Sequence, residues 1–311
     1  MTGNELDFWE KPQAKEVVLL AGWRQWADAG SVSSGLIHYL VTRQQARPIG
    51  QIRPDGFYLF QIPGTHDLVR PEIKHNDGYP ETLITPRNEF FYAGDEQRGV
   101  VLFLGDEPHL DAERYCAAFL QAARDLNVKR MVGFGGVYGE LPYDKERMVS
   151  SIYSLPAMKE EIAQYAVSLS NYHGGASIES FLTRRAGDAG MEFVAFYAFV
   201  PTYDFSTIAQ LEKSIRIEND FMAWLGVMQR VKAMLHLDFD LADLEQKSRH
   251  LVELMDKEME EIEKSTEFDL RGYLNQLAEN FTETPFTPLD TFWEEKLKGL
   301  FDRLDPDEPE E

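Results

Sequence analysis

Apolar residues follow two recurring patterns along the first 200 positions of the chain. Short continuous apolar runs are typical of strands buried on both faces of a sheet. Longer segments with apolar residues every three or four positions are typical of amphipathic helices. The first pattern predicts strands at 17–20, 100–104, 130–134 and 193–200. The second predicts helices at 29–40, 111–126, 177–189, 221–235, 241–262 and 269–277.

The order of these elements predicts an α/β fold. Strands that alternate with helices favour a mostly parallel sheet sandwiched by helices. The segment 48–83 holds short β-like pieces such as 57–60, and prolines and glycines interrupt it, which predicts an irregular β insertion or side sheet. From about residue 205 onward the pattern is helical. The predicted organisation is an α/β core at 1–240, a helical appendage at 241–300 and an acidic, disordered tail at 301–311.

Composition narrows the classes of partner. The 311 residues are 43% hydrophobic, enough for a sizeable core, and carry a net charge of −22. That charge repels nucleic acids and anionic membranes, so neither is an expected partner. The first 16 residues lack an apolar signal-peptide region, and no apolar run approaches membrane-spanning length, so we expect a cytoplasmic protein. The single cysteine, Cys116, lies in an apolar helical pattern and is interpreted as a core residue.

The carboxyl ends of the predicted strands suggest where a ligand or partner binds. In open parallel sheets, ligands bind beyond these ends. Four such segments, 22–23, 105–108, 133–136 and 201–203, are expected to share one rim. Glu107, Gly135, Gly136 and Tyr203 are therefore candidate contact residues.

The turn after the first strand is rich in tryptophan. Trp23 and Trp26 suit a contact surface or a pocket wall, because the indole ring combines a large apolar body with an N–H donor. The alternative is that both plug the top of the core. Asp28 precedes a predicted helix and is either its cap or an acidic group of the site.

A second candidate segment precedes the strand at 100–104. Residues 85–92 mix charged and amide side chains with three aromatic residues. Here Arg87, Asn88 and Glu89 are candidate contact residues. The alternative for Arg87 and Glu89 is a structural ion pair with each other.

The glycines at 133–139 only partly match a dinucleotide-binding loop. Such a loop opens directly into a helix, whereas Leu141 and Pro142 follow here. The alternative is that these glycines allow close packing. The seven histidines lack metal-ligand spacing, and no phosphate-binding or nucleophile motif occurs. We therefore predict no metal and no cofactor, and assign no catalytic residue.

An ordered series of short motifs resembles the proteasome assembly chaperone 2 family in its bacterial branch. The series runs from about residue 16 to 280. It comprises Gly22-Trp23 with Asp28-Ala29-Gly30, Pro86 with Asn88-Glu89-Phe90, Gly105 with Glu107-Pro108, Gly135 with Leu141-Pro142, Tyr172 with Gly174-Gly175, and Val200-Pro201 with Tyr203.

The resemblance implies a phosphorylase/hydrolase-like α/β fold with C-terminal helices. It also implies a homo-oligomer, with a trimer favoured. Eukaryotic relatives act as chaperones in proteasome assembly, and archaeal relatives are associated with proteasomes.

Two functions follow as hypotheses. The first, which we favour, is a non-catalytic binding or assembly-chaperone-like protein that contacts copies of itself and another protein. The second is an enzyme that acts on a small nucleoside-like or carboxylate substrate at the strand-end rim. Fold analogy supports the second hypothesis only by association.

Overall fold

The computed structural model describes residues 5–61, 69–205, 214–265 and 268–286. The predicted tail at 301–311 lies outside these residues. Twelve strands are present in the described ranges: β1 (Leu6–Phe8), β2 (Glu16–Arg24), β3 (Arg47–Ile52), β4 (Glu72–Asn76), β5 (Tyr79–Ile84), β6 (Glu89–Gly94), β7 (Arg98–Asp106), β8 (Val128–Gly139), β9 (Val149–Tyr153), β10 (Ser168–Leu169), β11 (Glu192–Asp204) and β12 (Ser214–Arg216).

Seven α-helices accompany these strands in the same ranges: α1 (Ser34–Arg43), α2 (Ala112–Asp125), α3 (Lys159–Ile162), α4 (Ile178–Asp188), α5 (Phe221–Leu235), α6 (Ala242–Ser265) and α7 (Leu270–Glu279). Short 3₁₀ turns occur at Ala29–Ser31, Pro156–Met158 and Ala163–Tyr165.

A ten-stranded mixed sheet forms the centre of the fold. Its order is β1-β3-β6-β7-β2-β8-β11-β9-β10, with β12 paired to β11. The central strands β7, β2, β8 and β11 are parallel. On one side β6, β3 and β1 are antiparallel, and on the other β9 runs antiparallel to β11. The predicted parallel sheet is thus confirmed for the four strands that the sequence identified, and antiparallel strands flank it.

Helices cover both faces of the sheet, as predicted. Alternation along β2 shows why: Leu20 belongs to one core cluster, whereas Leu19 and Ala21 belong to the other. Side chains of α1, α5 and α6 fill the first cluster, and those of α2 and α4 fill the second. Cys116 on α2 is buried, and that burial raises the pKa of its thiol to about 12. It is the core residue that the pattern predicted.

The helices after residue 220 pack on the same core as the sheet. Leu244, Met255 and Ile262 of α6 are buried in the cluster that also contains β11 side chains. Apolar spacing along α6 therefore reflects packing against the sheet-bearing part of the chain.

Two local predictions were wrong. The helix predicted at 29–40 begins only at Ser34, because Gly30 (φ +60°) and Ser31 (φ +49°) adopt left-handed backbone conformations that end the preceding 3₁₀ turn. The β-like piece at 57–60 forms no strand, and Phe57 is buried as a core residue of a turn. Elsewhere in the described part of 48–83, β3 joins the sheet and β4–β5 forms a separate exposed hairpin.

Candidate functional site

A cavity of about 680 Å³ opens at the carboxyl ends of β2, β8 and β11. Its lining combines aromatic rings with small and hydroxyl-bearing residues: Trp26, Ala27, Asp28, Gly136, Val137, Tyr138, Ser150, Ile152, Ser170, Tyr172, Gly174, Gly175, Ser177, Ser180, Tyr197 and Phe199. Three elements define its walls: the turn after β2, the end of β8, and the segment that leads into α4. The strand-end rim therefore contains a cavity.

Large apolar side chains stand exposed at the mouth of this cavity. Trp26 is 61% exposed and Tyr172 is 74% exposed, and both line the opening. Val137 and Tyr138 are also exposed there. We call Trp26, Val137, Tyr138 and Tyr172 the aromatic rim. Exposed apolar groups around a concave site are typical of binding surfaces.

Asp28 organises the turn that carries Trp26. Its Oδ1 accepts hydrogen bonds from the backbone N–H groups of Ser33 and Ser34, both at 2.9 Å, and its Oδ2 accepts one from the Ser34 hydroxyl at 2.6 Å. Burial raises the pKa of Asp28, and the bonds from Ser34 and Ser33 oppose that shift. Asp28 therefore lines the cavity while holding the start of α1, although the helix begins several residues later than predicted.

Glycines on β8 make room for the layer beneath the cavity. A Cβ atom at Gly136 would lie 2.0 Å from the carbonyl oxygen of Ala29, and one at Gly135 would lie 2.4 Å from the Tyr197 ring. A Cβ at Gly133 would lie 2.1 Å from Oε1 of Glu179. All three glycines lie within the strand and none opens a helix. Close packing explains them, and the dinucleotide interpretation does not.

Two acids, the half-buried Glu107 and the buried Glu179, lie behind the cavity wall. Glu107 accepts a hydrogen bond from the Ile178 N–H at 2.8 Å through Oε1, whereas its Oε2 has no partner among the described residues. Burial raises the pKa of Glu107 to about 7, and the Ile178 bond opposes that shift. Glu179 on α4 is 3% exposed, and its Oε1 likewise has no described partner.

Tyr197 connects the deeper acid to the cavity. Its hydroxyl lies 3.3 Å from Oγ of Ser177 and is hydrogen-bonded to the carboxyl group of Glu179. Burial raises the pKa of Glu179 to about 8; the Tyr197 bond lowers it and the charge of Glu107 raises it. Ser177 also caps α4 by accepting from the Ser180 N–H. A hydrogen-bonded path thus leads from the cavity wall to a buried carboxyl group.

The structure places Trp23 away from the cavity. It is 1% exposed and packs against Phe103 and Phe119. Its indole N–H donates to the Tyr115 hydroxyl at 3.0 Å. The two tryptophans of the turn therefore separate: Trp23 is the core plug that was the alternative interpretation, and Trp26 lines the cavity.

The segment around Asn88 supports the fold. Oδ1 of Asn88 accepts hydrogen bonds from the hydroxyls of Tyr58 and Tyr115, at 2.8 and 2.9 Å, and a longer one from the Asp106 N–H. Arg87 and Glu89 are not among the cavity-lining residues. Within the described residues the two side chains form no ion pair with each other, so their predicted pairing was wrong. Asn88 separates Arg87 from Glu89. In extended backbone, side chains two positions apart lie on the same face without meeting.

Tyr203 lies beyond the part of β11 that borders the cavity. It is fully buried, and its hydroxyl donates to the carbonyl oxygen of Leu141. Of the ten candidate residues, the structure thus brings Trp26, Asp28 and Gly136 into the cavity lining, with Gly135 and Glu107 behind it. Trp23, Asn88 and Tyr203 are buried elsewhere.

Sequence reasoning missed Ser177, Glu179, Tyr138, Tyr172 and Tyr197. Ser177 and Glu179 appeared only as the start of a helix, and Tyr197 only as part of a buried strand. A usable signal was the acid at Glu179 on the buried side of α4, since ionisable residues rarely occupy a core face without a specific partner.

The described residues contain no group of three His, Cys, Asp or Glu side chains that would hold a metal ion. In the same ranges, no helix has the length and hydropathy needed to cross a bilayer. Neither finding indicates which kind of ligand the cavity binds.

The fold and the cavity define an α/β protein with a cavity at the carboxyl end of a central parallel sheet. The model of the PAC2 family matches residues 22–259, and the chain belongs to that family. A comparison with curated proteins found no match.

Three solved structures show the same architecture. A proteasome-assembly chaperone homologue from Mycobacterium tuberculosis is 24% identical, with a TM-score of 0.65 over 77% of this chain and 94% of that one. A PAC2 family protein from Streptomyces avermitilis is 22% identical, with a TM-score of 0.64 over 78% and 95%. An archaeal proteasome activator from Pyrococcus furiosus is 17% identical, with a TM-score of 0.58 over 81% and 97%. At these identities the similarity establishes the fold.

Proposed function

We propose that this PAC2 family member is a non-catalytic binding protein with an assembly-chaperone-like role, acting as a homo-oligomer on another protein in the cytoplasm. A trimer is the favoured state. The observation that carries the proposal is the aromatic rim: four apolar side chains stand exposed around one concave site. Exposed rings of this kind lose water contact favourably when a partner segment covers them.

Charge and relatives support the same role. With a net charge of −22, the chain is not expected to bind nucleic acid or an anionic membrane. The Mycobacterium tuberculosis structure is of a proteasome-assembly chaperone homologue, and the Pyrococcus furiosus one is of a proteasome activator. The first is a homologue of an assembly chaperone and the second is an activator of the proteasome, so both descriptions favour a protein partner for this chain.

A second candidate function is an enzyme that uses the same cavity. The path from Ser177 through Tyr197 to Glu179 favours it, because buried acids of raised pKa cluster at catalytic sites. Among the described residues that line the cavity, none carries a positive charge. A nucleoside-like substrate therefore suits the lining better than a carboxylate does.

The experiment compares the wild type with the double variant Trp26→Ala/Tyr172→Ala. Its matched control is Trp9→Ala, because Trp9 is 58% exposed but lies next to the edge strand β1, on a different part of the sheet from the cavity. Light scattering after gel filtration gives the oligomeric mass, and affinity capture followed by mass spectrometry gives bound proteins. We expect an oligomer that retains a discrete partner in the control and loses it in the double variant. A monomer that captures no partner and turns over a nucleoside would overturn the proposal.

A further inference from the structure

The buried acids behind the cavity wall have no cationic partner among the described residues. No Lys, Arg or His forms an ion pair with Glu107 or Glu179 in those ranges, and one carboxyl oxygen of each lacks any described hydrogen-bond donor. A buried polar atom without a partner costs free energy, so its retention requires an explanation. Here the two unpartnered oxygens belong to acids close enough for their charges to interact.

Glycine geometry fixes Glu179 in this position. Its Oε1 lies where a Cβ at Gly133 would stand, and its other oxygen lies 3.1 Å from the Cβ position of Gly135. The carboxyl group therefore lies against β8, and the ring of Tyr197 is 2.4 Å from the same Gly135 position. Larger residues on the strand would displace the carboxyl group, so the glycines keep room for an ionisable group in an apolar layer.

Two hydroxyl-bearing residues lie between these acids and the cavity. Ser177 and Tyr197 line the cavity, and the Tyr197 hydroxyl is hydrogen-bonded to Glu179. When Tyr197 donates its proton to the acid, its oxygen can accept a hydrogen bond, as can Oγ of Ser177. These two oxygens present acceptors to the cavity, and the acids behind them add negative charge as the pH rises through their raised pKa values of about 7 and 8.

The aromatic rim favours the same ligand charge. Trp26 and Tyr172 present exposed rings at the cavity mouth, and aromatic faces attract cations. The Arg216 guanidinium already lies 5.7 Å from the ring centroid of Tyr138, so a ligand cation is expected on the other two rings. None of the described lining residues is itself cationic. An apolar stem passing the rings and a positive head group at the acceptors would satisfy both parts of the site.

We infer that the cavity binds a primary alkylammonium group, with its N–H donors on the Ser177 and Tyr197 oxygens and its stem along the aromatic rim. We assign this group to a lysine side chain of the partner protein, and that assignment rests on the proposed function. A primary ammonium group provides N–H donors as well as positive charge, whereas a quaternary ammonium provides the charge alone.

The test uses two matched pairs of probes. The first pair is a short neutral-capped peptide with one central lysine and the same peptide with acetyl-lysine. The second is pentylamine and pentanol, which share an alkyl chain but differ in charge. Each probe is titrated into the full chain by NMR, following the indole N–H signal of Trp26, which is assigned from the Trp26→Phe variant.

We expect the lysine peptide and pentylamine to bind at least about tenfold more tightly than their neutral counterparts. Binding of pentylamine without the lysine peptide would overturn the assignment to a protein side chain. Equal binding of charged and neutral probes, or no binding of either, would overturn the inference as a whole. If the Trp26→Ala/Tyr172→Ala variant loses its protein partner but no amine binds the wild type, the proposed function is supported and the ammonium site is contradicted.

A second measurement separates charge from structural damage. Glu179→Gln keeps the shape of the side chain but removes its charge, and Glu107, Asp28 and Tyr197 are the other titratable groups around the same wall. In the wild type, pentylamine affinity should rise severalfold between about pH 6 and 9, as the acids ionise while the amine stays charged. In Glu179→Gln the affinity should be weaker and the rise smaller. An unchanged pH profile in this variant, with folding verified by circular dichroism, would contradict the role of Glu179.

Discussion

Arg147 and Asp220 form an ion pair from which solvent is excluded. Nε of Arg147 donates to Oδ2 of Asp220 at 2.7 Å, and the two side chains are 1% and 0% exposed. The other oxygen of Asp220 caps α5 by accepting from two backbone N–H groups, and Nη1 of Arg147 donates to the carbonyl oxygens of Pro142, Tyr143 and Lys145. One buried pair therefore joins the loop after β8 to the first C-terminal helix.

The single substitution Arg147→Met tests this junction. It keeps an unbranched side chain out to about the position of Nε but leaves the Asp220 carboxylate buried without its cation. Breaking a buried pair in this way lowers the free energy of unfolding by about 3–5 kcal/mol. Urea denaturation measures the loss. In the double variant Arg147→Met/Asp220→Asn the loss should be smaller than the sum of the two single losses, since no buried charge remains. Additive losses would contradict the pairing.

Asn88 is predicted to be a structural residue. In Asn88→Ala, the hydroxyls of Tyr58 and Tyr115 and the N–H of Asp106 lose a shared acceptor. The Tyr58 hydroxyl and the Asp106 N–H keep the carbonyl oxygens of Asp106 and Arg87 as acceptors, so only the Tyr115 hydroxyl is left without one. One buried donor left without a partner costs about 1–3 kcal/mol, and with the two weakened bonds we expect a loss of about 2–3 kcal/mol. Thermal and urea unfolding provide the measurement. Tyr58→Phe, which removes only one donor, is the control and should cost about 1 kcal/mol; equal losses in the two variants would refute the shared-acceptor role.

Glu179 should make the protein less stable as the pH rises. Its pKa is about 8 in the folded chain, against an ordinary value of 4.5. Between these values the folded state holds a proton that the unfolded state has released, so the unfolded state binds fewer protons and the free energy of unfolding falls as pH increases. The decline is expected from about pH 5 to pH 8, and Glu107 adds to its lower part.

The variant Glu179→Gln isolates this contribution. Its amide stays neutral, so stability should fall less over the same pH range, and the variant should exceed the wild type near pH 8. Urea unfolding at about pH 5, 6.5 and 8 measures both chains. Parallel curves for the two proteins would show that Glu179 does not titrate with a raised pKa.

Two glycines of the cavity should respond differently to alanine. A Cβ at Gly136 would lie 2.0 Å from the backbone oxygen of Ala29, whereas one at Gly175 would meet nothing within 4 Å. Because backbone cannot move aside cheaply, Gly136→Ala should lower the free energy of unfolding by about 1–3 kcal/mol or more. Gly175→Ala, on the same cavity lining, should stay within about 0.5 kcal/mol of the wild type. A stable Gly136→Ala protein would show that the strand and the turn can separate.

The elements of the central sheet were accessible from the sequence because their patterns are local. Continuous apolar runs predicted β2, β7, β8 and β11, and each run is buried because helices cover both faces. The flanking strands were less predictable. Segment 57–60 has strong β propensity but forms a turn, since Phe57 obtains its burial by packing against Tyr115 instead of by joining the sheet.

The two tryptophans show why the site was only partly predictable. β2 continues through Trp23 to Arg24, so Trp23 falls on the same face as Leu19 and Ala21 and enters the core. Ending the predicted strand at Leu20 concealed that alternation. Trp26 lies beyond the strand, where no periodicity constrains it, and its exposure depends on how the turn packs against β8.

The sequence by itself determined the α/β class, the parallel core strands and the series of motifs that marks the PAC2 family, because these follow from local periodicity and order along the chain. Only the tertiary structure decided which side chains share the cavity. Ser177, Glu179 and Tyr197 come from a helix and a strand that meet across the sheet, and Glu107 from the end of another strand. Their shared environment, and hence their charge, arises from packing that no local pattern records.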